Sequence, residues 1–311
     1  MSSSNNTIHE GDYILVFLSR RKNWLLKVEK GRQFHTHRGI IDLTSVIGLE
    51  PGSTVQTSLG ETVYILKPVI KDLVLKSSRK TQVVYPKDLG AIAAWTGLSP
   101  GKIVVESGTG SGALTIFAAN LVRPHGHVYS YDLRPEFQEV AKKNIERAGL
   151  GEYITLKQGD AKQGLDVTGA DIALVDVGDP WTLVKPMKNA LKGSGTLAAV
   201  IPTMNQVEKM TAELLRQGFV DVESIELIAR EIEAREGMTR PAMRMVGHTA
   251  YLTFARKSLK TIETPTEETT SHDKDETEDD AEENGDEEDA SQEDEGIRAL
   301  RLLDVTPEES S

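Results

Sequence analysis

The chain passes from an apolar strand into three glycines at alternate positions in the segment Val104-Val105-Glu106-Ser107-Gly108-Thr109-Gly110-Ser111-Gly112. A helical pattern from Ala113 to Leu121 follows at once. Glycines at a strand-to-helix turn let the backbone approach a ligand more closely than any Cβ would permit. They also bring the ligand against the backbone N–H groups of a helix N-terminus. The segment therefore predicts a nucleotide-like ligand at the edge of a doubly wound α/β sheet.

The spacing of these glycines is G-x-G-x-G, which differs from the dinucleotide pattern G-x-G-x-x-G. An acidic residue at the strand end, before the glycines, favours S-adenosylmethionine over NAD as the cofactor. We expect the first part of the cofactor site to consist of Glu106, Gly108, Thr109, Gly110, Ser111 and Gly112. The alternative is a tight turn whose glycines are incidental.

Strand and helix patterns alternate around this turn. Strands are predicted at Lys102–Glu106, His127–Tyr131, Tyr153–Lys157, Asp171–Val175, Thr196–Ile201, Val220–Leu227 and Thr249–Ala255, and helices at Asp88–Thr96, Gly112–Val122, Pro135–Ala148, Trp181–Leu191 and Asn205–Gln217. Such alternation indicates βαβ units and a mostly parallel sheet, a Rossmann-like α/β fold. No helix-length segment separates the last two strands, so we expect them to form an antiparallel pair at one edge of the sheet.

The first part of the chain has a different pattern. Short apolar runs at Tyr13–Leu18, Trp24–Val28 and Val63–Leu66 are separated by turn residues, which predicts a small β-barrel or sandwich. We therefore divide the chain into a β-domain over residues 1–75, a catalytic α/β domain over 76–258 and a tail over 259–311.

The net charge of the whole chain is −12, and the acidic residues of the tail account for its negative sign. Residues 261–311 hold 21 Asp or Glu and 3 Lys or Arg, which leaves 33 basic and 27 acidic residues, a net of +6, in the first 260. A tract so acidic and poor in apolar residues is predicted to be disordered. The mildly basic remainder is compatible with a polyanionic partner.

Cysteine is absent from the chain, which excludes disulfides, thiolate metal sites and a cysteine nucleophile. This composition fits a reducing, cytoplasmic location. The polar start, Met1 to Asn6, predicts no secretory signal. No run of about 18 apolar residues occurs, so no membrane span is expected.

Two further acidic residues follow predicted strands. Asp132 ends the second strand of the series, 20 residues after Gly112, where a carboxylate can bind a ribose diol. Asp160 follows the third strand and can accept from an adenine amino group. We assign both residues to cofactor binding, together with their neighbours Leu133 and Ala161. Each carboxylate taken alone is more commonly a cap or a loop residue.

The reacting site is predicted in the loop Asp176-Val177-Gly178-Asp179-Pro180-Trp181, which follows the fourth strand. Asp176 stands at the strand end and is the predicted catalytic residue, with a further part in cofactor binding. Asp179 is the rival, although a turn or helix N-cap before Pro180 is its more common role. Pro180 and Trp181 are predicted to contact the substrate.

Four further segments carry a resemblance to one family. They are Phe34-His35-Thr36-His37-Arg38-Gly39-Ile40-Ile41-Asp42, Arg79-Lys80-Thr81-Gln82-Val83-Val84-Tyr85-Pro86-Lys87-Asp88, Pro202-Thr203-Met204-Asn205-Gln206 and Arg240-Pro241-Ala242-Met243-Arg244-Met245-Val246-Gly247-His248-Thr249. With the glycine turn, they make residues 10–257 resemble the single-chain tRNA (adenine-58-N1)-methyltransferases of archaea and bacteria.

The resemblance implies an N-terminal β-domain, a Rossmann-like catalytic domain and a homotetramer. It implies S-adenosylmethionine-dependent methylation of N1 of adenosine 58 in the T-loop of tRNA, with adenosine 57 as a second target in some archaeal members. The family's catalytic aspartate corresponds to Asp176. Its ribose-binding acid, usually Glu, corresponds to Asp132. A non-catalytic tRNA-binding subunit and another Rossmann methyltransferase, such as the L-isoaspartyl repair enzyme, are the alternatives.

The resemblance also directs attention to residues around the target. Tyr85 can stack on the cofactor adenine or on the target base, or it can be a packed aromatic. Arg244 and His248 belong to a loop that can close over the base. We offer Arg20, Arg21, Arg79 and Lys80 for phosphate contacts, with a solvated surface as the alternative. No metal is expected, because His35 and His37 lack a third ligand.

Overall fold

Two larger β-sheets, of four and seven strands, and two two-stranded pairs organise the part of the chain that the computed structural model describes, residues 6–78 and 82–260. These residues belong to one compact unit. The predicted tail beyond residue 260 lies outside the described residues, as do Arg79 and Lys80. The predicted boundary between the first two domains stays a prediction.

The first sheet comes from the N-terminal residues. Its segment contains β1 (Tyr13–Ser19), β2 (Lys22–Lys27), β3 (Gln33–Thr36), β4 (Gly39–Asp42), β5 (Thr54–Gln56) and β6 (Thr62–Leu66). Four strands form an antiparallel sheet in the order β2-β1-β6-β5, and β3 pairs with β4 as a hairpin. In β6, Val63 and Ile65 are buried while Thr62 and Tyr64 are exposed, because alternate side chains of a strand point to opposite faces.

The second sheet forms the Rossmann-like part of the chain. Its elements are α1 (Ile70–Leu75), α2 (Pro86–Thr96), β7 (Ile103–Ser107), α3 (Ala113–Val122), β8 (His127–Asp132), α4 (Pro135–Ala148), β9 (Ile154–Gln158), β10 (Ala170–Val175), α5 (Val184–Ala190), β11 (Leu191–Ile201), α6 (Met204–Arg216), β12 (Phe219–Glu226), β13 (Ile232–Glu233), β14 (Arg240–Pro241) and β15 (Tyr251–Lys257). Seven strands pair in the order β12-β15-β11-β10-β7-β8-β9.

One strand of this sheet runs against its neighbours. β15 is antiparallel to both β11 and β12, whereas the pairs from β11 to β9 are parallel. The predicted antiparallel pair of the last two strands at one edge of the sheet is therefore confirmed, with β12 outermost and β15 between β12 and β11. The hairpin-like β13 and β14, which precede β15, were not predicted.

The helix predicted over Trp181–Leu191 is shorter than expected. Pro180–Leu183 forms a 3₁₀ turn, α5 covers Val184–Ala190, and Leu191 already begins a strand. Leu191 is opposite Ala170 in the parallel pair of β10 and β11. Strand pairing therefore ends the helical pattern one residue early.

Apolar layers cover both faces of the large sheet. Val104 of β7 packs with α1 to α4, whereas Val105 packs with α5 and α6. Both valines are fully buried, as expected for parallel strands covered by helices on each face. The strands that follow β7, which are β8 and β9, lie on one side of it, and the next strand, β10, lies on its other side. The strand order therefore reverses between β7 and β10, and a ligand crevice is expected at the carboxyl ends of these two strands.

Candidate active site

A cavity of about 980 Å³ opens at the carboxyl ends of the central strands. The predicted site residues in its wall are Tyr85, Gly108, Gly110, Asp132, Leu133, Asp160, Ala161, Asp176 and His248. Thr109 and Ser111 face a small recess behind the same turn. The fold thus brings together residues separated by up to 163 positions in the sequence.

The glycine turn is shaped by its contact with the loop after β10. Gly108 has φ of 100°, and a Cβ added there would overlap the carbonyl oxygen of Asp176. The Asp176 N–H donates to the Ser107 carbonyl at 2.9 Å. Gly112, with φ of 82°, begins α3 close to Ala141 of α4, outside the cavity wall. The first glycine permits the approach of two backbones, and the third permits helix packing.

Asp132 connects the end of β8 to the glycine turn. Its Oδ2 accepts from the Gly110 N–H at 2.9 Å, and its Oδ1 accepts from the Arg134 N–H at 3.0 Å. A carboxylate has about four acceptor positions, so each oxygen can accept once more from a ligand in the cavity. Asp160, in contrast, caps a short 3₁₀ turn through Oδ1, which accepts from the Lys162 N–H at 2.9 Å.

Glu106 is fully buried beneath the turn and does not reach the cavity wall. Its Oε2 accepts from the Thr115 hydroxyl at 2.6 Å, and its Oε1 has no hydrogen-bond partner among the described residues. Burial raises the pKa of Glu106 to about 8, against the opposing effect of the Ser130 and Thr115 hydroxyls. Cofactor binding by Glu106 stays a prediction, and this position restricts it to an indirect contact through the loop above it.

Asp176 lies in the cavity wall at the end of β10. Burial, followed by the negative charge of Asp132, raises the pKa of Asp176 to about 6. Within residues 6–78 and 82–260, its carboxylate forms no hydrogen bond. The group is thus a free acceptor that is mostly ionised at pH 7, next to a turn that admits close ligand approach.

The rest of the Asp176 loop is arranged differently from the prediction. Asp179 forms a 2.5 Å ion pair with Lys162 and precedes the 3₁₀ turn without capping it through its side chain. Pro180 is buried and Trp181 packs against the apolar cluster, with Lys209 over its ring. Neither Pro180 nor Trp181 lines the cavity, so their substrate contact stays a prediction.

His248 bridges two elements at the cavity wall. Its Nδ1 lies 2.7 Å from Glu226 Oε1, and its Nε2 lies 3.0 Å from the Pro202 carbonyl oxygen. The carbonyl oxygen and an ionised carboxylate only accept, so both ring nitrogens carry protons when both bonds form. Glu226, then Pro202, accordingly raise the pKa of His248. Arg244 of the same loop is exposed and outside the wall.

The sequence did not single out a buried network next to Tyr85. The Asp88 carboxylate is 1 % exposed and lines the cavity. It accepts from Lys87 at 2.6 Å and from the Thr249 hydroxyl at 2.8 Å, and Lys87 also donates to Thr249 at 2.5 Å. One sequence feature could have indicated this network. Two of the segments that carry the family resemblance contain its residues, since one includes Tyr85 to Asp88 and the other ends at Thr249.

The predicted phosphate contacts are only partly described. Arg20 forms a 2.9 Å ion pair with Glu231, and Arg21 is exposed. Neither lines the cavity. In the described ranges, no three acidic or His side chains come close enough to hold a metal ion. None of the helices found there has the length and apolar character needed to cross a membrane.

Comparisons with known proteins agree with this arrangement. The family profile for the tRNA methyltransferase complex GCD14 subunit matches residues 61–239, and the TrmI-like N-terminal profile matches residues 7–55. The tRNA (adenine(57)-N(1)/adenine(58)-N(1))-methyltransferase TrmI of Methanocaldococcus jannaschii is 37% identical over 272 residues, which cover 78% of this chain and 94% of that protein.

Two solved structures are similar over most of the chain. A SAM-dependent O-methyltransferase from Thermotoga maritima is 37% identical with a TM-score of 0.79, over 83% of this chain and 97% of its own. The tRNA (m1A58) methyltransferase TrmI from Aquifex aeolicus is 31% identical with a TM-score of 0.72, and the match covers 82% of this chain and 100% of that chain. The fold is that of S-adenosylmethionine-dependent methyltransferases.

The Glu106→Gln substitution is expected to make stability less dependent on pH. The unfolded chain loses the Glu106 proton above the ordinary pKa of 4.5, whereas the folded chain keeps it to about 8. The stabilisation by this group is thus complete below pH 4.5 and declines toward pH 8, by up to about 1.4 kcal/mol per pH unit. Urea unfolding across this range measures the difference, and parallel curves for the two proteins would contradict the assignment.

Proposed function

Because the chain belongs to the family of tRNA (adenine-58-N1)-methyltransferases, we propose that it methylates N1 of adenosine 58 in the T-loop of tRNA with S-adenosylmethionine as the methyl donor. The main support for this proposal is the Asp176 carboxylate, which is half-buried and forms no hydrogen bond among the described residues. It lies in the wall of a cavity that is also lined by the glycine turn typical of methyltransferases. The same wall combines residues suited to a cofactor with residues suited to a base.

The residues present fit S-adenosylmethionine. Gly108 and Gly110 line the cavity without a side chain between their backbone and a ligand, and Asp132 retains acceptor capacity for a ribose diol. Leu133, whose side chain is 60% exposed, offers an apolar surface to an adenine ring, and Asp160 offers an acceptor to its amino group. When bound, the cofactor supplies an electrophilic methyl group on a positively charged sulfur.

Asp176 is the residue that orients the nucleophile. Its carboxylate accepts from the exocyclic amino group of the target adenine, which places the neighbouring N1 in line with the methyl group. The same negative charge increases the electron density at N1 and stabilises the cationic 1-methyladenine. Its elevated pKa confines this action to the pH range in which the group is ionised.

A base must leave the folded tRNA elbow to reach Asp176. Tyr85 in the wall provides an aromatic surface for the extruded ring, and His248 and Thr249 border the same space. Recognition of the remainder of the tRNA depends on shape and phosphates more than on sequence. Exposed basic groups such as Arg21 are suited to those contacts.

We further infer that the protein assembles as a homotetramer. Ile228, Ile232, Met238 and Met243 are each more than half exposed and all belong to the segment between β12 and β15. Exposed apolar surface commonly marks an interface, and the four-subunit assembly is that of the family which the chain resembles. Light scattering of the purified chain should give a mass of four subunits. A monomeric mass would refute the assembly without affecting the proposed reaction.

Incubation with unmodified tRNA transcript and labelled S-adenosylmethionine tests the activity, with 1-methyladenosine mapped by reverse-transcription stops. We expect a stop at position 58. A second stop at 57 would match the dual specificity named for the Methanocaldococcus jannaschii relative. Methylation of an oxygen atom of the tRNA, methylation of protein instead of tRNA, or the absence of any methyl transfer would refute the proposal.

Asp176→Asn is expected to lower kcat by about 100-fold or more, because the amide loses the charge directed at the reacting base. The affinity for S-adenosylmethionine, measured by calorimetry, should fall much less than kcat, because Asp132 and the glycine turn are unchanged. Wild-type kcat/KM should rise as pH passes about 6 and then level, and the variant should lack this rise. A larger loss in the competing variant Asp179→Asn would transfer the role to Asp179.

A further inference from the structure

The loop that carries Asp176 is held by a side chain from outside the cavity. Gln206 lies in the first turn of α6, and its Nε2 donates to the Gly178 carbonyl oxygen at 2.7 Å. The Thr203 hydroxyl donates to Gln206 Oε1 at 2.8 Å. This second bond fixes the orientation of the amide, because its oxygen is engaged and its nitrogen faces the loop.

Few other bonds hold this loop. The Asp176 N–H donates to Ser107, the Asp179 carbonyl accepts from Thr182, and the Asp179 carboxylate pairs with Lys162. Between Asp176 and Asp179, the bond from Gln206 is the only backbone attachment found among the described residues. Lys162 and Asp179 are both more than 40% exposed, and exposed ion pairs contribute little.

The helix that bears Gln206 is firmly seated. Met210 and Leu214 of α6 are fully buried, and Val207, next to Gln206, packs against the same apolar cluster, so the helix is anchored close to Gln206. Gly178, by comparison, lines the cavity two residues after Asp176. A bond from a rigid helix to this carbonyl can therefore set the position of the Asp176 carboxylate.

We propose that Gln206 is a positioning residue, whose bond to the Gly178 carbonyl holds the Asp176 loop in the geometry that methyl transfer requires. Gln206 does not line the cavity, so it acts through the loop and not on the substrate. The expected effect on methyl transfer rests on the proposed function, whereas the restraint of the Asp176 loop by Gln206 does not depend on it.

Gln206→Ala is expected to lower kcat by about 10-fold to 100-fold, since displacement of a reacting group by about 1 Å can cost 100-fold. KM for tRNA and for S-adenosylmethionine should change much less. Asn205→Ala is the matched control, because Asn205 is the exposed neighbour on the same helix and forms no side-chain hydrogen bond in the described part of the chain. Equal kcat values in the two variants would overturn the proposal.

Gln206→Glu separates a specific bond from general stability. A protonated glutamic acid can donate to the Gly178 carbonyl, whereas an ionised one has no proton to donate. At pH 7 to 8 the introduced carboxyl group is ionised, so kcat for Gln206→Glu should fall about as far as kcat for Gln206→Ala, and a wild-type kcat there would contradict the bond.

Amide hydrogen exchange tests the contact without turnover. The Asp176 and Thr182 amides, which donate to Ser107 and Asp179, should exchange faster in Gln206→Ala than in Asn205→Ala. Unchanged exchange would overturn the positioning role even in an active enzyme. Faster exchange in a protein that does not methylate tRNA would refute the proposed function and leave the structural part of the inference intact.

Discussion

The approach of the Gly108 and Asp176 backbones is the constraint on which the site depends. The two segments meet where β7 and β10 lie side by side, and the chain crosses from one half of the sheet to the other. Any side chain at Gly108 would separate them. The contact thus holds the glycine turn, which is suited to bind a cofactor, next to the Asp176 carboxylate, which is suited to bind a base.

Electrostatics around this contact favour a positively charged ligand. Glu106, Asp132 and Asp176 surround the glycine turn, and their mutual repulsion contributes to the raised pKa values of Glu106 and Asp176. A cation in the cavity would relieve that repulsion. The arrangement therefore matches both the charge of a sulfonium cofactor and the charge that develops on a methylated adenine.

The order of elements in the α/β part was predictable because its signals are local. The α4 helix begins and ends as predicted, at Pro135 and Ala148, since a proline starts it and a glycine follows it. The short strands β3, β4 and β5 were missed, because three or four residues are too few to show a period. The antiparallel pairing of β12 with β15 was predictable because no helix-length segment separates them, whereas the pairing of β15 with β11 joins strands distant in the chain and leaves no local pattern.

For the site, the sequence by itself determined the glycine turn and the acids at the strand ends, because each follows directly from a strand or begins a helix. It also identified Asp176 as the residue after the fourth strand. Only the tertiary structure decided that Glu106 is buried below the turn, that Trp181 packs in the apolar cluster outside the cavity wall, and that Asp88 and Thr249 line the cavity. The same holds for the bond from Gln206 to the Gly178 carbonyl. Those outcomes depend on which elements pack together, and side-chain direction across such contacts is not encoded in spacing along the chain.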